Sequence, residues 1–179
     1  MVEIARMVAD WLDGTTDDAT GADQSVGTHL AAMTYDGSDT APTTPTVTDE
    51  TRDSPTARGD EPTSYPGLQV SVIELTLEAG TFSSTQHEGR CQVLVRYVDD
   101  ETHSANATRD AYYVLRAVRR SLRRFHLAQE NNAARKRNSL ALLPSASEPM
   151  RLVKVEAARE DGGTYAGILV TYDVRDLDP

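Results

Sequence analysis

The chain has 179 residues, a net charge of −10 and a pI near 4.8, which excludes a nucleic-acid binder held by bulk positive charge. Apolar residues make up 39%, below the roughly 45–50% of ordinary globular domains, so a single domain with a modest core is expected. The N-terminus lacks the basic start and apolar run of a signal peptide, and no stretch approaches the ~18 apolar residues of a membrane-spanning helix; the chain is expected to be made and folded in a cytoplasm.

Ile4, Ala5, Val8, Trp11 and Leu12 recur at the spacing of one helical face. Gly14 is a natural residue to end that helix, so residues 1–14 read as an amphipathic helix that packs on a core. Residues 15–66 are dominated by Thr, Asp, Ser, Pro and Gly and read as a polar arm or insertion. Within it, Pro42 and Pro45 forbid helix and favour extended backbone. His29 to Tyr35 can form a brief strand before the turn Asp36-Gly37.

Residues 67–179 carry the expected core. In Leu68 to Glu78 the apolar alternation runs through 68, 70 and 72 and then through 73, 75 and 77. A phase flip at Val72/Ile73 predicts a bulge. After a polar connection, Arg90 to Val98 places Cys91, Val93, Val95 and Tyr97 on one face. A long helix follows, with Ala107, Ala111, Val114, Leu115, Val118, Leu122 and Phe125 as its apolar stripe. The chain then turns polar through Arg135-Lys136-Arg137, with a break at Pro144. Met150 to Ala157 and Tyr165 to Val174 read as a final strand pair, joined through Glu160-Asp161-Gly162-Gly163. The fold class is α+β: a small, mostly antiparallel sheet of about four strands, a long helix on one face, an N-terminal helix and a long polar arm.

No phosphate-binding loop, dinucleotide fingerprint, zinc-protease helix or nucleophile elbow occurs. Cys91 is the only cysteine and lies in an apolar strand pattern, as a buried structural thiol does. The four histidines, at 29, 87, 103 and 126, have no metal-ligand spacing. No catalytic, metal or cofactor-binding residue is therefore assigned, and no enzyme is expected.

Two charge features remain. Asp99, Asp100 and Glu101, followed by His103, can be read as an acid/base cluster. Helix-start rules already explain them, with Thr102 or Ser104 as cap. The second feature is arginine: only Lys136 and Lys154 are lysines among the 18 basic residues. Arg116, Arg119, Arg120, Arg123 and Arg124 stack opposite the helix's apolar stripe, with Arg109, Arg135 and Arg137 nearby. That face can be a solvated surface of a GC-rich or halophilic genome's protein, a contact between subunits, or a nucleic-acid contact. The candidate interface is accordingly Arg116, Arg119, Arg120, Arg123 and Arg124 together with Asp99, Asp100 and Glu101.

The order of these features resembles the tail terminator (tail completion) proteins of long-tailed bacteriophages and related viruses. The matching pieces are Ile4 to Leu12, Pro45 to Asp53 leading into Tyr65-Pro66-Gly67-Leu68-Gln69-Val70-Ser71-Val72, Cys91 to Asp100, Ala107 to Phe125, and Tyr165 to Val174. The resemblance implies a virion protein at the head–tail junction, present in the host cytoplasm during assembly. Its partners would be further copies of itself in a hexameric ring, the tail tube protein, and a head–tail connector or stopper. Genomic double-stranded DNA would pass through the ring without sequence recognition. The ring would cap the tube, end its polymerisation and join tail to head, and the polar arm would reach across a neighbour. Alternatives are another head–tail connector, the tail tube protein, or a small regulatory module that binds nucleic acid through the arginine helix.

Overall fold

Strands Gly67–Ala79 (β2), His87–Asp100 (β3) and Gly163–Asp176 (β7) are the long members of the sheet. The computed structural model describes residues 2–15, 24–37, 39–49, 66–79, 87–100, 106–127, 136–137, 140–144, 151–153 and 163–176. β3 lies between β2 and β7 and pairs antiparallel with both. The register stacks residues of like kind in rows across the three strands. Val95 lies opposite Val70 and Ile168, and Val93 opposite Val72 and Val170. β-Branched rows of this sort are the unit of sheet stabilisation, and all six side chains are buried.

The predicted bulge is present. The β2–β3 register shifts between Val72 and Glu74, so Ile73 is the extra residue and is turned outward, 54% exposed. Beyond it the alternation resumes in the opposite phase, which returns Leu75 to the core face opposite Cys91. The opposite face of the sheet is mixed, with Leu94 across from Leu169 among polar and charged side chains. There Arg96 donates through Nε to Gln69 Oε1 at 3.0 Å, and Arg90 lies 3.7 Å from Asp173.

The strand count exceeds the expectation of about four. Seven strands are described: besides the three long ones, Thr46–Asp49 (β1), Lys136–Arg137 (β4), Leu140–Pro144 (β5) and Arg151–Val153 (β6). Of these β1, β4 and β5 are the additions; the order is β1-β2-β3-β7-β5-β4, with β6 also on β7. β5 and the short β6 lie along the same side of β7. β5 pairs with residues 172–176 and β6 with residues 167–169. Both run antiparallel to β7 in the same direction, on the side away from β3. β6 is the beginning of the strand expected from Met150 to Ala157; the rest of that strand and the Glu160–Gly162 part of its hairpin lie outside the described residues.

Two of the described helices lie on the apolar face of the sheet, and a third packs against them. Val2–Asp13 (α1) lies over β1 and β2, and Ala107–Leu127 (α3) over β3 and β7. Isolated helices as short as α1 are marginal in water, so α1 depends on its docking. It buries Ile4, Ala5, Met7, Val8, Ala9, Trp11 and Leu12, more than one face of the helix. Gly14 ends it at φ 83, as its position predicts; the amides of Gly14 and Thr15 both donate to the Asp10 carbonyl at 3.0 Å. Trp11 fastens α1 to α3. Its indole Nε1 donates to the Ser121 carbonyl at 3.0 Å, and its ring lies 5.1 Å from Phe125, which meets Tyr172 edge-on.

The third helix corrects the reading of residues 15–66 as an arm. Val26–Ala31 (α2) is helical rather than a strand from His29 to Tyr35, and it packs against α3. Val26, Leu30, Met33 and Val47 all join the core, so much of the presumed arm belongs to the domain. Ser25 caps α2, its Oγ accepting from the Thr28 amide at 3.2 Å. The Asp36-Gly37 turn is where the sequence places it, with Gly37 at φ 59. Beyond it, Pro42 and Pro45 carry extended backbone into β1, which pairs parallel with β2 through Thr46↔Gly67 to Asp49↔Val70. Residues 16–23 and 50–65 of the same stretch lie outside the described residues.

Candidate interaction surface

α3 has two unlike sides. Of the predicted stripe, Val114, Val118, Leu122 and Phe125 are fully buried, Ala111 is buried and Leu115 partly so, and Ala117 joins them. On the other side Arg116, Arg119, Arg120, Arg123 and Arg124 are all exposed. None of the five makes an ion pair or hydrogen bond with a described residue. Pairs 116/120, 119/123 and 120/124 are like charges one turn apart, each costing about 0.2–0.5 kcal/mol in an isolated helix. Arginines near the helix C-terminus gain from the helix dipole, but Arg116 and Arg119 lie mid-helix and have no such return.

Tyr112 belongs to this surface and was not singled out from the sequence. It is 62% exposed and stands four residues before Arg116. At 3.6 residues per turn, Tyr112, Arg116, Arg119 and Arg123 fall within about 60° of one another, and the row from 112 to 124 spans about 18 Å. The signal was available: a large aromatic at i−4 from the first arginine, outside the apolar stripe. Tyr and Arg together are the composition enriched at interface centres.

The other arginines near this helix have different fates. Arg109 is used inside the fold. Its guanidinium lies 2.7 Å from Asp110 and 3.2 Å from Asp39, and Tyr113 donates to Asp39 at 3.2 Å. With Ser121 Oγ donating to the Gln24 carbonyl at 2.6 Å, these bonds tie the segment containing α2 to α3. Arg135 lies outside the described residues, and Arg137 falls in β4.

The acidic half of the expected interface divides differently. Asp99 is 1% exposed and accepts the Tyr97 hydroxyl at 2.9 Å. It is therefore an internal carboxylate and leaves the surface set, because the tyrosine beside it supplies a hydrogen bond that solvent would otherwise give. Burial, with Asp99 and Asp110 adding negative charge, raises the Tyr97 hydroxyl pKa. The Asp100 side chain, Glu101, His103 and the proposed caps Thr102 and Ser104 lie outside the described residues. Cys91 is buried, and desolvation pushes its thiol up to about 12. A thiol so protonated at neutral pH is a structural residue in this fold. Among the described residues no group of three or more His, Cys, Asp and Glu side chains is placed to hold a metal ion, and no helix is long and apolar enough to cross a membrane.

His29 of α2 adjoins the arginine row. Its Nε2 is buried without a hydrogen-bond partner. Desolvation, then the charges of Arg120 and Arg124, lowers its pKa from 6.5. The unfolded chain thus takes up a proton near pH 6.5, whereas the folded chain takes it up only at lower pH. Stability should be undiminished by this group above pH 6.5 and fall as the pH drops below it. Thermal melts at pH 7.5 and pH 5.5 check this: His29→Gln should lose less Tm than the parent over that interval, and equal losses would remove His29 from the account.

These features define an α+β protein with a helical layer on one sheet face and an outward basic–aromatic helix row. No protein-family model matches the chain, and no curated protein sequence matches it.

Proposed function

We propose that this chain is a structural virion protein, a tail terminator whose copies form a hexameric ring that caps the tail tube and joins the tail to the head. The observation that carries the reading is the exposed arginine row of α3, which has no ionic partner among the described residues of a chain with net charge −10. The monomer's core has no use for those side chains, and an acidic surface on another protein does. Bidentate arginine–carboxylate contacts fix orientation as well as adding energy. Each exposed pair is worth only about 0–1 kcal/mol, but in a closed ring every contact recurs at each boundary. The order of elements supports the same reading: an N-terminal helix, a long strand pair, a long helix and a C-terminal strand, as in the tail terminator family that the sequence resembles.

In the virus that encodes the chain, its removal should leave tail tubes that overrun their normal length and fail to join heads. Tails of uniform, normal length in its absence would overturn the proposal. A second reading, contact with nucleic acid, is favoured by the same arginines. It requires binding to random duplex DNA that weakens steeply with salt, which a ring-to-protein contact does not require.

A further inference from the structure

Only two large apolar side chains are strongly exposed among the described residues, Tyr112 and Ile73. They lie on two separate features, one flanked by arginines and the other beside a carboxylate. Tyr112 heads the arginine row of α3. Ile73 is the bulged residue of β2, and Glu74 beside it is also exposed. Around that bulge the sheet edge is open among the described residues. β1 pairs with β2 only as far as Val70, while β2 runs on to Ala79 with β3 on its other side. Bulges and charges at such an edge discourage indiscriminate strand pairing and leave a shaped, specific surface.

We propose that the Ile73–Glu74 bulge of one copy seats on the Tyr112–arginine row of the next. The occupant is a second copy of this chain because each feature offers what the other lacks. One presents an apolar knob beside a carboxylate; the other presents an aromatic ring beside a row of guanidinium groups. Within one chain the two do not cover each other, since both side chains remain more than half exposed. A contact between unlike patches is heterologous and propagates head to tail, so it closes into a ring where the rotation allows. The contact rests on the proposed ring and names the two surfaces that would build it.

The test uses complementary blocked variants of the full chain. Arg116→Glu/Arg123→Glu blocks the helix row, and Ile73→Ser/Glu74→Gln blocks the bulge. Each alone should weaken self-association by at least about tenfold while melting like the parent. Mixed, they should form a one-to-one dimer and nothing larger, because each keeps one good face. The milder Tyr112→Ala and Ile73→Ala serve the same comparison if a charge reversal lowers the melt. Blocked variants that still form the parent oligomer overturn this contact and leave the ring standing. Blocked variants that stay monomeric even when mixed also overturn it, since the two faces are then not each other's partners. A parent chain that is monomeric at every concentration overturns the ring and the contact together.

Discussion

Val118→Asp should lower the melting temperature of this protein by about 10 °C or more. Val118 is fully buried in the α3 stripe, between the helix and the sheet strands β3 and β7. A carboxylate there must either stay charged in an apolar site or bind a proton, and both options cost free energy. A loss of about 4 kcal/mol or more follows, against a total stability of roughly 5–15 kcal/mol for a native domain. The isosteric Val118→Thr change should cost less, because a hydroxyl is far cheaper to bury than a charge. Circular dichroism melts of the three proteins decide the matter. If the aspartate variant melts like the parent, α3 does not pack through this face.

Trp11→Ala should be the most damaging truncation in the N-terminal helix. The indole is 2% exposed, packs on Phe125 and donates to the Ser121 carbonyl. Removing a buried tryptophan costs about 3–5 kcal/mol through lost transfer energy and the cavity left behind. The abandoned carbonyl adds about 1 kcal/mol unless water reaches it. Trp11→Phe should recover most of the packing but not the hydrogen bond, and so fall between the two. Urea unfolding measures the order directly: parent, then Phe, then Ala, with little change in slope. An alanine variant as stable as the parent would mean that α1 is not clamped to α3.

Much of the architecture is legible because its signals are periodic. The α3 stripe, the β3 alternation and the phase flip at Val72/Ile73 are patterns repeated over many residues, and each has its counterpart in the structure. The flip is informative because only an added residue reconciles two opposite alternations on one buried face. Gly14 and Gly37 are legible for another reason: both take positive φ, a conformation that glycine reaches without steric cost.

The segment before β2 is where pattern reading fails. Val26, Leu30 and Met33 carry a helical spacing of only three residues, surrounded by Thr, Gly and Asp. Composition over the whole stretch hides so short a signal, and tertiary contact with α3 supplies what local propensity does not. β1 and β5 were missed for a related reason. Each is four or five residues long and gains its place only by pairing with a longer strand already present.

Of the candidate surface, the arginine row was readable as the polar side of an amphipathic helix. Tyr112 carries a weaker signal, a single aromatic outside the apolar stripe, and an aromatic in a helix is easily read as core. The inward turn of Asp99 was also hidden, since sequence alone does not place the Tyr97 hydroxyl beside it. Both differences sharpen the surface. They remove one carboxylate from it and add an aromatic ring at the head of the basic row.

The native mass of the purified parent chain, measured across a range of concentrations, tests the ring most directly. The account predicts one closed hexameric species whose mass stops growing as concentration rises, and which loosens with salt as exposed ion pairs are screened. A monomer at every concentration, or an open ladder of ever-larger oligomers, would contradict it.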